Sequence, residues 1–455
     1  MVVAAAICGA IAGAALSGVG NHVFGRRRVI LLSSIFFMFG SALMAVAETF
    51  NHLLFGRLIV GLGIGCASTT VPLYIAEASP PHIRGRLVSL NSALVTGGQF
   101  FASVLDALLA DTDGGWRYML GLAAFPAAVQ FVGFVFLPES PRYLVSKGKQ
   151  EEARTVLMEI RGTQDVETEL EHIKAEVQSA KHHDTNIWSD MRSPPVIRAL
   201  TLGCSLQCLQ QLCGINTVMY YGATIIQMAG FTDPTTAIWL SALVSFSNFI
   251  FTFVGIYLVD RAGRRLLTLG SLAGVFLSLV ALGGSFYVAE MQSVEVTVSS
   301  SLGFCSDAEW KYDSCPNGTH NAGWAILLAM FVYLAFFASG MGCMPWTINA
   351  EIYPLHVRSF SLSISTSVNW VSNLLVSFTF LSTIDALAPY GAFWMYATIA
   401  LFGFVYLWNE LPETKGLELE EIQQIFADRI AYSAVNGKVE ASDESEQIHQ
   451  ATPPS

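Results

Sequence analysis

Charge is what this chain has least of: Asp, Glu, Lys and Arg make up 13% of 455 residues, against 53% hydrophobic. Soluble domains carry about a quarter of their residues as charge, so a chain this poor in it could not hide its apolar surface in water. Reactive chemistry is equally thin. No nucleophile–base pair, phosphate-cradling glycine loop or zinc-type spacing of the 8 cysteines occurs, so neither an enzyme nor a bound cofactor or metal is expected. Gly61, Gly63 and Gly65 lie inside an apolar run with no strand before them, which makes them small residues for close helix packing. The apolar N-terminus has no basic leader, so no cleavable signal peptide is expected. No apolar run has a carboxylate near its middle: Glu77 and Glu351 stand at run ends and Asp106 close to another.

What is abundant is long hydrophobic stretches, several of them reaching the roughly 20 residues that cross a bilayer. Spans are predicted at 1–20, 29–47, 53–78, 87–110, 116–137, 198–228, 236–259, 266–289, 322–350, 357–382 and 389–411. The expected class is an all-α multi-pass protein with the lipid bilayer as its surroundings and no nucleic-acid partner. Threading the spans alternately puts 21–28, 79–86, 139–197, 260–265, 351–358 and the tail on one side. Nearly all of the 24 Lys and Arg fall there, while the opposite loops hold Arg117 and Lys311, and Arg57 lies inside a span. The basic side is therefore expected to be cytoplasmic, with the C-terminus inside and the plasma membrane as the location.

The chain also repeats itself. Ala76-Glu77-Ala78-Ser79-Pro80-Pro81-His82-Ile83-Arg84 returns as Ala350-Glu351-Ile352-Tyr353-Pro354-Leu355-His356-Val357-Arg358, and Leu137-Pro138-Glu139-Ser140 returns at the same separation as Leu411-Pro412-Glu413-Thr414. Gly25-Arg26-Arg27 returns sooner, as Gly263-Arg264-Arg265, so the second copy holds an insertion, placed in the exofacial segment 290–321. Projecting the second copy onto the first makes the chain begin at the second helix of a six-helix unit. An N-terminally truncated 6 + 6 arrangement is expected; a native eleven-helix protein is the alternative. The organisation predicted is an N-terminal bundle over 1–138, a cytoplasmic linker over 139–197, a C-terminal bundle over 198–411 and a tail over 412–455. Short amphipathic helices are expected over Lys149–Ile160 and Val166–Ala180, and a disordered polar end beyond Asp428. In the exofacial loop, Cys305 and Cys315 can form a disulfide in an oxidising compartment, and Asn317-Gly318-Thr319 is a glycosylation sequon.

Uncharged polarity inside the spans is the strongest functional signal. Gln210, Gln211 and Asn216 share one span with Tyr220 and Tyr221; Gln99 and Asn248 are mid-span; Asn369 and Asn373 stand one turn apart. Amides donate and accept, which suits a ligand covered in hydroxyls. Trp346 follows Gly340-Met341-Gly342-Cys343-Met344-Pro345, where the helix should loosen, and its indole can lie against a sugar or cyclitol ring. Interhelical hydrogen bonding is the competing role for each such residue. A second set, Glu77, Arg84, Glu139, Arg142, Asp260, Arg264, Glu351 and Arg358, lies at the basic ends in matched positions. It is expected to form a latch of ion pairs bridging the bundles when the cytoplasmic side is closed, whereas Arg27, Arg28 and Arg265 fit snorkelling.

Together these motifs resemble the sugar porter branch of the major facilitator superfamily. The pieces are Gly56-Arg57, Glu77 to Arg86, Pro138-Glu139-Ser140-Pro141-Arg142, Gln210-Gln211 with Gly214 and Asn216, Asp260-Arg261 with Gly263-Arg264-Arg265, Pro345-Trp346, and Pro412-Glu413-Thr414-Lys415-Gly416. Within the branch, Gly97 to Val104 and Trp116 to Ala124 are most similar to animal proton–myo-inositol cotransporters. The resemblance implies a major facilitator fold of two pseudo-symmetric six-helix bundles, here with the first helix absent. It also implies a central polyol site lined by Gln99, Gln210, Gln211, Asn216, Asn248, Trp346, Asn369 and Asn373, working by alternating access. His22 stands where the family's loop has an acid. In proton-coupled members the first helix carries an aspartate facing the position of Arg57, so Arg57 is expected to serve proton coupling or gating yet to lack its partner here. The function this implies is secondary transport of myo-inositol or a related polyol, proton-coupled in the full-length form, with little transport by this chain alone. A facilitative hexose transporter and a non-transporting isoform or sensor are the alternatives.

Overall fold

The computed structural model describes residues 2–80, 83–182, 190–231, 233–299, 320–354, 357–415, 421–422 and 424–426. Asn317, Cys305, Cys315 and most of the tail lie outside the described residues. An apolar run in a bilayer must satisfy its own backbone hydrogen bonds, and this chain does so with helices: there is no strand among the described residues.

The first half holds α1 (Val2–Val23), α2 (Arg26–Ala45), α3 (Phe50–Ala78), α4 (Arg84–Leu109), α5 (Gly115–Leu122) and α6 (Ala124–Phe136). Then come three short helices, α7 (Pro141–Ser146), α8 (Gln150–Arg161) and α9 (Glu167–His182). The second half holds α10 (Pro194–Leu212), α11 (Ile215–Tyr220), α12 (Gly222–Met228), α13 (Pro234–Ala262), α14 (Arg264–Ser299), α15 (His320–Ser339), α16 (Met344–Ile352) and α17 (Arg358–Glu410).

Nine helical segments among the described residues are long and apolar enough to cross a membrane, against eleven spans predicted. Two backbone features account for the difference. Helix α17 runs for 53 residues but bends at Ala388, whose φ of 59° and following Pro389 break helical geometry, so it carries both 357–382 and 389–411. The span predicted at 198–228 is divided among α10, α11 and α12, parted at Gly214 (φ 85°) and at Tyr221.

Glycines set how closely the helices of the first half pack. A Cβ on Gly61 would lie 2.1 Å from Ala6 O, and one on Gly65 2.1 Å from Ala10 O. Helices α1 and α3 therefore touch backbone to backbone, the contact that small residues permit when lipid supplies no hydrophobic drive. Gly63 instead faces α2, 3.0 Å from Ser33 O by the same construction. In the second half α14 packs on α15 and α17, and α10 on α17.

The halves meet along two seams, α1 with α17 and α4 with α13. Hydroxyls and rings line them: Ser17 Oγ and Ser363 Oγ are 3.2 Å apart, Thr96 Oγ1 lies 3.3 Å from Thr252 Oγ1, and Phe100 packs on Phe246 and Phe249. A third link joins α17 to α3, where Trp370 Nε1 donates to Ser68 Oγ at 3.2 Å. Helices α8 and α9 fall where amphipathic helices are predicted and close a small core of their own around Leu157, Leu170 and Ile173. Arg161 ties that core to the membrane helices, bonding Glu169 at 2.7 Å and the carbonyl of Ala78 at 2.9 Å.

Candidate functional site

Helix α10 puts Gln207, Gln210 and Gln211 at i, i+3 and i+4, hence on one face, and α17 presents Asn369 and Asn373 one turn apart. The two faces meet. Asn369 Nδ2 donates to Gln207 Oε1 at 2.7 Å and to Gln210 Oε1 at 2.9 Å, while Asn369 Oδ1 accepts from Gln211 Nε2 at 3.0 Å. Asn216, just past the Gly214 break, donates to Gln211 Oε1. Asn373 Nδ2 donates to Tyr220 OH at 3.2 Å and Asn373 Oδ1 accepts from Ser377 at 2.9 Å. Except for the half-buried Asn216, these amides are nearly sealed from solvent, Asn369 at 2% and Gln211 at 6% exposure, so an unmet donor or acceptor among them would carry a desolvation cost.

The remaining predicted lining residues stand on α13, α4 and α16. Asn248 on α13 is buried, with Nδ2 3.9 Å from Met219 Sδ. Gln99 is half-buried on α4, in the first half. Trp346 stands on α16, just beyond the interruption at Gly340–Cys343, and lines a small cavity with Ser68, Thr69 and Pro72 of α3 and Arg358 and Thr366 of α17. That cavity, about 10 Å³, has room for roughly one water. Gln210 Nε2 reaches into the interruption, donating to Met341 O at 2.8 Å and Gly342 O at 3.0 Å.

Arg57 is not the isolated charge expected. Asp106 on α4 interacts with it electrostatically, although its Nε makes no hydrogen bond.

At the basic ends the two halves build one arrangement twice. Arg26 Nη2 bonds Glu77 Oε1 at 2.7 Å, and Arg264 Nη2 bonds Glu351 Oε1 at 3.1 Å. Ser140 and Thr414 donate to the other oxygens of those two acids. Glu139 accepts from the backbone N–H of Arg26 at 3.0 Å and Arg27 at 3.1 Å; Glu413 accepts from those of Arg264 at 2.9 Å and Arg265 at 3.1 Å. Each carboxylate thus covers a helix N-terminus, where orphan donors and the helix dipole favour an anion. These described pairs each lie within one half, between an acid and the start of an earlier helix of its own bundle. Arg358 is buried, with Nε donating to Tyr353 O at 3.2 Å, and Arg142 stands on α7 two residues past Ser140. The side chains of Arg84 and Asp260 lie outside the described residues.

The family model for "Sugar (and other) transporter" matches residues 1–426. The chain belongs to the sugar transporter family. Its relatives include the proton myo-inositol cotransporter of Homo sapiens, 44% identical over 94% of this chain and 75% of that protein. Probable inositol transporter 2 of Arabidopsis thaliana is 37% identical over 94% of this chain and 84% of the relative. Among solved structures, the proton:xylose symporter XylE bound to 6-bromo-6-deoxy-D-glucose matches with a TM-score of 0.77 at 28% identity, over 93% of this chain and 88% of that one. The inward open conformation of XylE from E. coli, at 27% identity and the same coverage, gives 0.68. This sugar transporter is accordingly a multi-pass membrane protein with the major facilitator fold, and not an enzyme.

Four groups of this transporter escaped the sequence reading. Gln207 belongs to the amide hub, and its spacing to Gln210 and Gln211 could have shown it. Arg26, and not Arg27, carries the ion pair to Glu77; the match of Gly25-Arg26 with Gly263-Arg264 pointed there. Ser140 and Thr414 complete the two carboxylate sites, as the matched Pro-Glu-Ser and Pro-Glu-Thr triplets could have suggested.

Proposed function

We propose that the protein carries myo-inositol or a closely related polyol across the membrane by alternating access, coupled to protons in the full-length form. The observation that carries this reading is the Asn369 hub, an uncharged cluster whose amides each offer a donor and an acceptor. A cyclitol bears only hydroxyls, which also donate and accept, so its ring can replace amide–amide bonds one for one without charge to neutralise. The inositol-transporting relatives support the same substrate class. In this reading Gln99, Gln210, Gln211, Asn216, Asn248, Trp346, Asn369 and Asn373 line the site, with Trp346 as its flat wall, and Arg57 takes part in proton coupling or gating. Glu77, Arg84, Glu139, Arg142, Asp260, Arg264, Glu351 and Arg358, joined by Arg26 and Glu413, form the latch at the basic ends. The basic face and the C-terminus are cytoplasmic, the membrane is the plasma membrane, and Asn317 is glycosylated on the other side.

Uptake of tritiated myo-inositol and glucose into proteoliposomes holding the full-length form, with and without an inward proton gradient, tests the proposal. Myo-inositol uptake driven by the gradient is expected. Glucose uptake indifferent to the gradient, with no inositol uptake, overturns it in favour of a facilitative hexose carrier.

A further inference from the structure

The interruption between α15 and α16 strands particular backbone groups, and where each goes can be followed. In a continuous helix Met341 N would bond Phe337 O, and Gly340 N would bond Phe336 O. Here Gly342 N takes Phe337 O at 2.7 Å, and Gly340 N turns to the same oxygen at 3.2 Å. That leaves Met341 N and Phe336 O over. One hydroxyl serves both: Ser271 Oγ on α14 accepts from Met341 N at 2.9 Å and donates to Phe336 O at 2.7 Å. Ser271 is 4% exposed, so water does not compete for these bonds. Helix α14 comes this near because Gly340 has no side chain; a Cβ there would lie 2.3 Å from Ser271 Cβ and 2.6 Å from Leu267 O.

On its other flank the same interruption is held by Gln210 Nε2, through Met341 O and Gly342 O. The two ties differ in kind. Gln210 belongs to the amide cluster, so a polyol hydroxyl competes with those carbonyls for its N–H groups. Ser271 stands behind the interruption and bonds none of the amides. When Gln210 turns toward a ligand, Ser271 is the tie that still holds the chain leading into α16.

We infer that Ser271 is a positioning residue for polyol recognition: its hydroxyl fixes the interruption at Gly340–Cys343, and through it the placement of α16 and of Trp346. The inference rests on the polyol reading of the amide cluster. It assigns a role in recognition to a helix, α14, that contributes no lining residue.

The test compares Ser271→Thr with Ser271→Val, which match in shape and differ in the hydroxyl. In a full chain with the other cysteines replaced, the buried Cys343 inside the interruption reports its opening through its rate of reaction with a small maleimide. Ser271→Val is expected to speed labelling about tenfold and to weaken equilibrium binding of tritiated myo-inositol about fivefold, as loss of a hydrogen bond would, with Ser271→Thr close to wild type. Gly340→Ala, which crowds the clasp from the opposite side, is expected to speed labelling in the same way. In a Trp346→Ala background the Val-to-Thr difference in binding is expected to vanish while the difference in labelling stays. Equal labelling of the Thr and Val variants overturns the inference. So does a binding difference that survives undiminished without Trp346, because Ser271 would then act by another route. If the wild type binds no myo-inositol, the polyol reading fails, and the labelling comparison still decides whether Ser271 clasps the interruption.

Discussion

Glu139 lies directly over Gly25. A Cβ at Gly25 would sit 2.4 Å from Glu139 Oε2, and the backbone there, at φ 89°, is in a region that glycine alone adopts readily. Glu413 covers Gly263 in the same manner, at 2.5 Å and φ 87°. Gly25→Ala and Gly263→Ala are each expected to lower stability by about 1–3 kcal/mol, the cost of a strained backbone, before any loss of the carboxylate's bonds. Thermal unfolding in detergent measures it; a Tm equal to wild type in both variants contradicts the pairing of acid and helix start.

Asn369 and Gln211 should differ in how much they matter. Removing the Asn369 amide strands Gln207 Oε1, Gln210 Oε1 and Gln211 Nε2 together, all in a buried cluster. Asn369→Ala is expected to cost about 1–3 kcal/mol of polyol binding, or roughly 5- to 150-fold in Kd. Gln211→Ala removes one member at the edge of the hub and is expected to cost about 0.5–1.5 kcal/mol. Binding isotherms for both variants give the order, and a larger effect at Gln211 contradicts the hub.

Arg161 holds the linker helices against the end of α3 through Glu169 and Ala78 O. With both partners removed from its reach, Arg161→Ala is expected to free α8 and α9, so that limited proteolysis cuts this region several-fold faster. An unchanged cleavage rate would place the linker's anchorage elsewhere.

Asp233 caps α13, accepting from Thr236 N at 2.8 Å and from the Thr236 hydroxyl. These bonds hold its carboxyl below the ordinary aspartate range. A carboxyl lowered on folding stabilises the protein at pH values above its unfolded value, and that contribution is lost as pH falls through the folded one. The Tm gap between wild type and Asp233→Ala is expected to be present at neutral pH and to close below about pH 4. A gap constant down to about pH 3 contradicts the carboxylate cap.

Much of this molecule was legible in its residues, and the gaps have physical causes. Apolar runs mark spans because lipid leaves them no other fate, but the division of 198–228 rests on the turns at Gly214 and Tyr221, inside a run whose apolar character continues across both. Amides inside those runs announced a polar site. Gln207 stood beside Gln210 and Gln211 all along, yet only the approach of Asn369 from a helix far away in sequence gives it a partner. The matched acids showed a duplicated device, while the choice of Arg26 from three adjacent arginines depends on which one the turn at Gly25 points inward. Ser271 was invisible: a serine in an apolar run acquires its role only because Phe336 O and Met341 N are left unpaired across the bundle.

The central claim is that the Asn369 hub is where a polyol binds. Equilibrium binding of tritiated myo-inositol to the purified chain, wild type against Asn369→Ala, tests it most directly. Saturable binding by the wild type, displaced by unlabelled myo-inositol and weakened about fivefold or more in the variant, is the result expected. Saturable binding of equal affinity in both would contradict it, because the hub would then be interhelical bonding and the site would lie elsewhere.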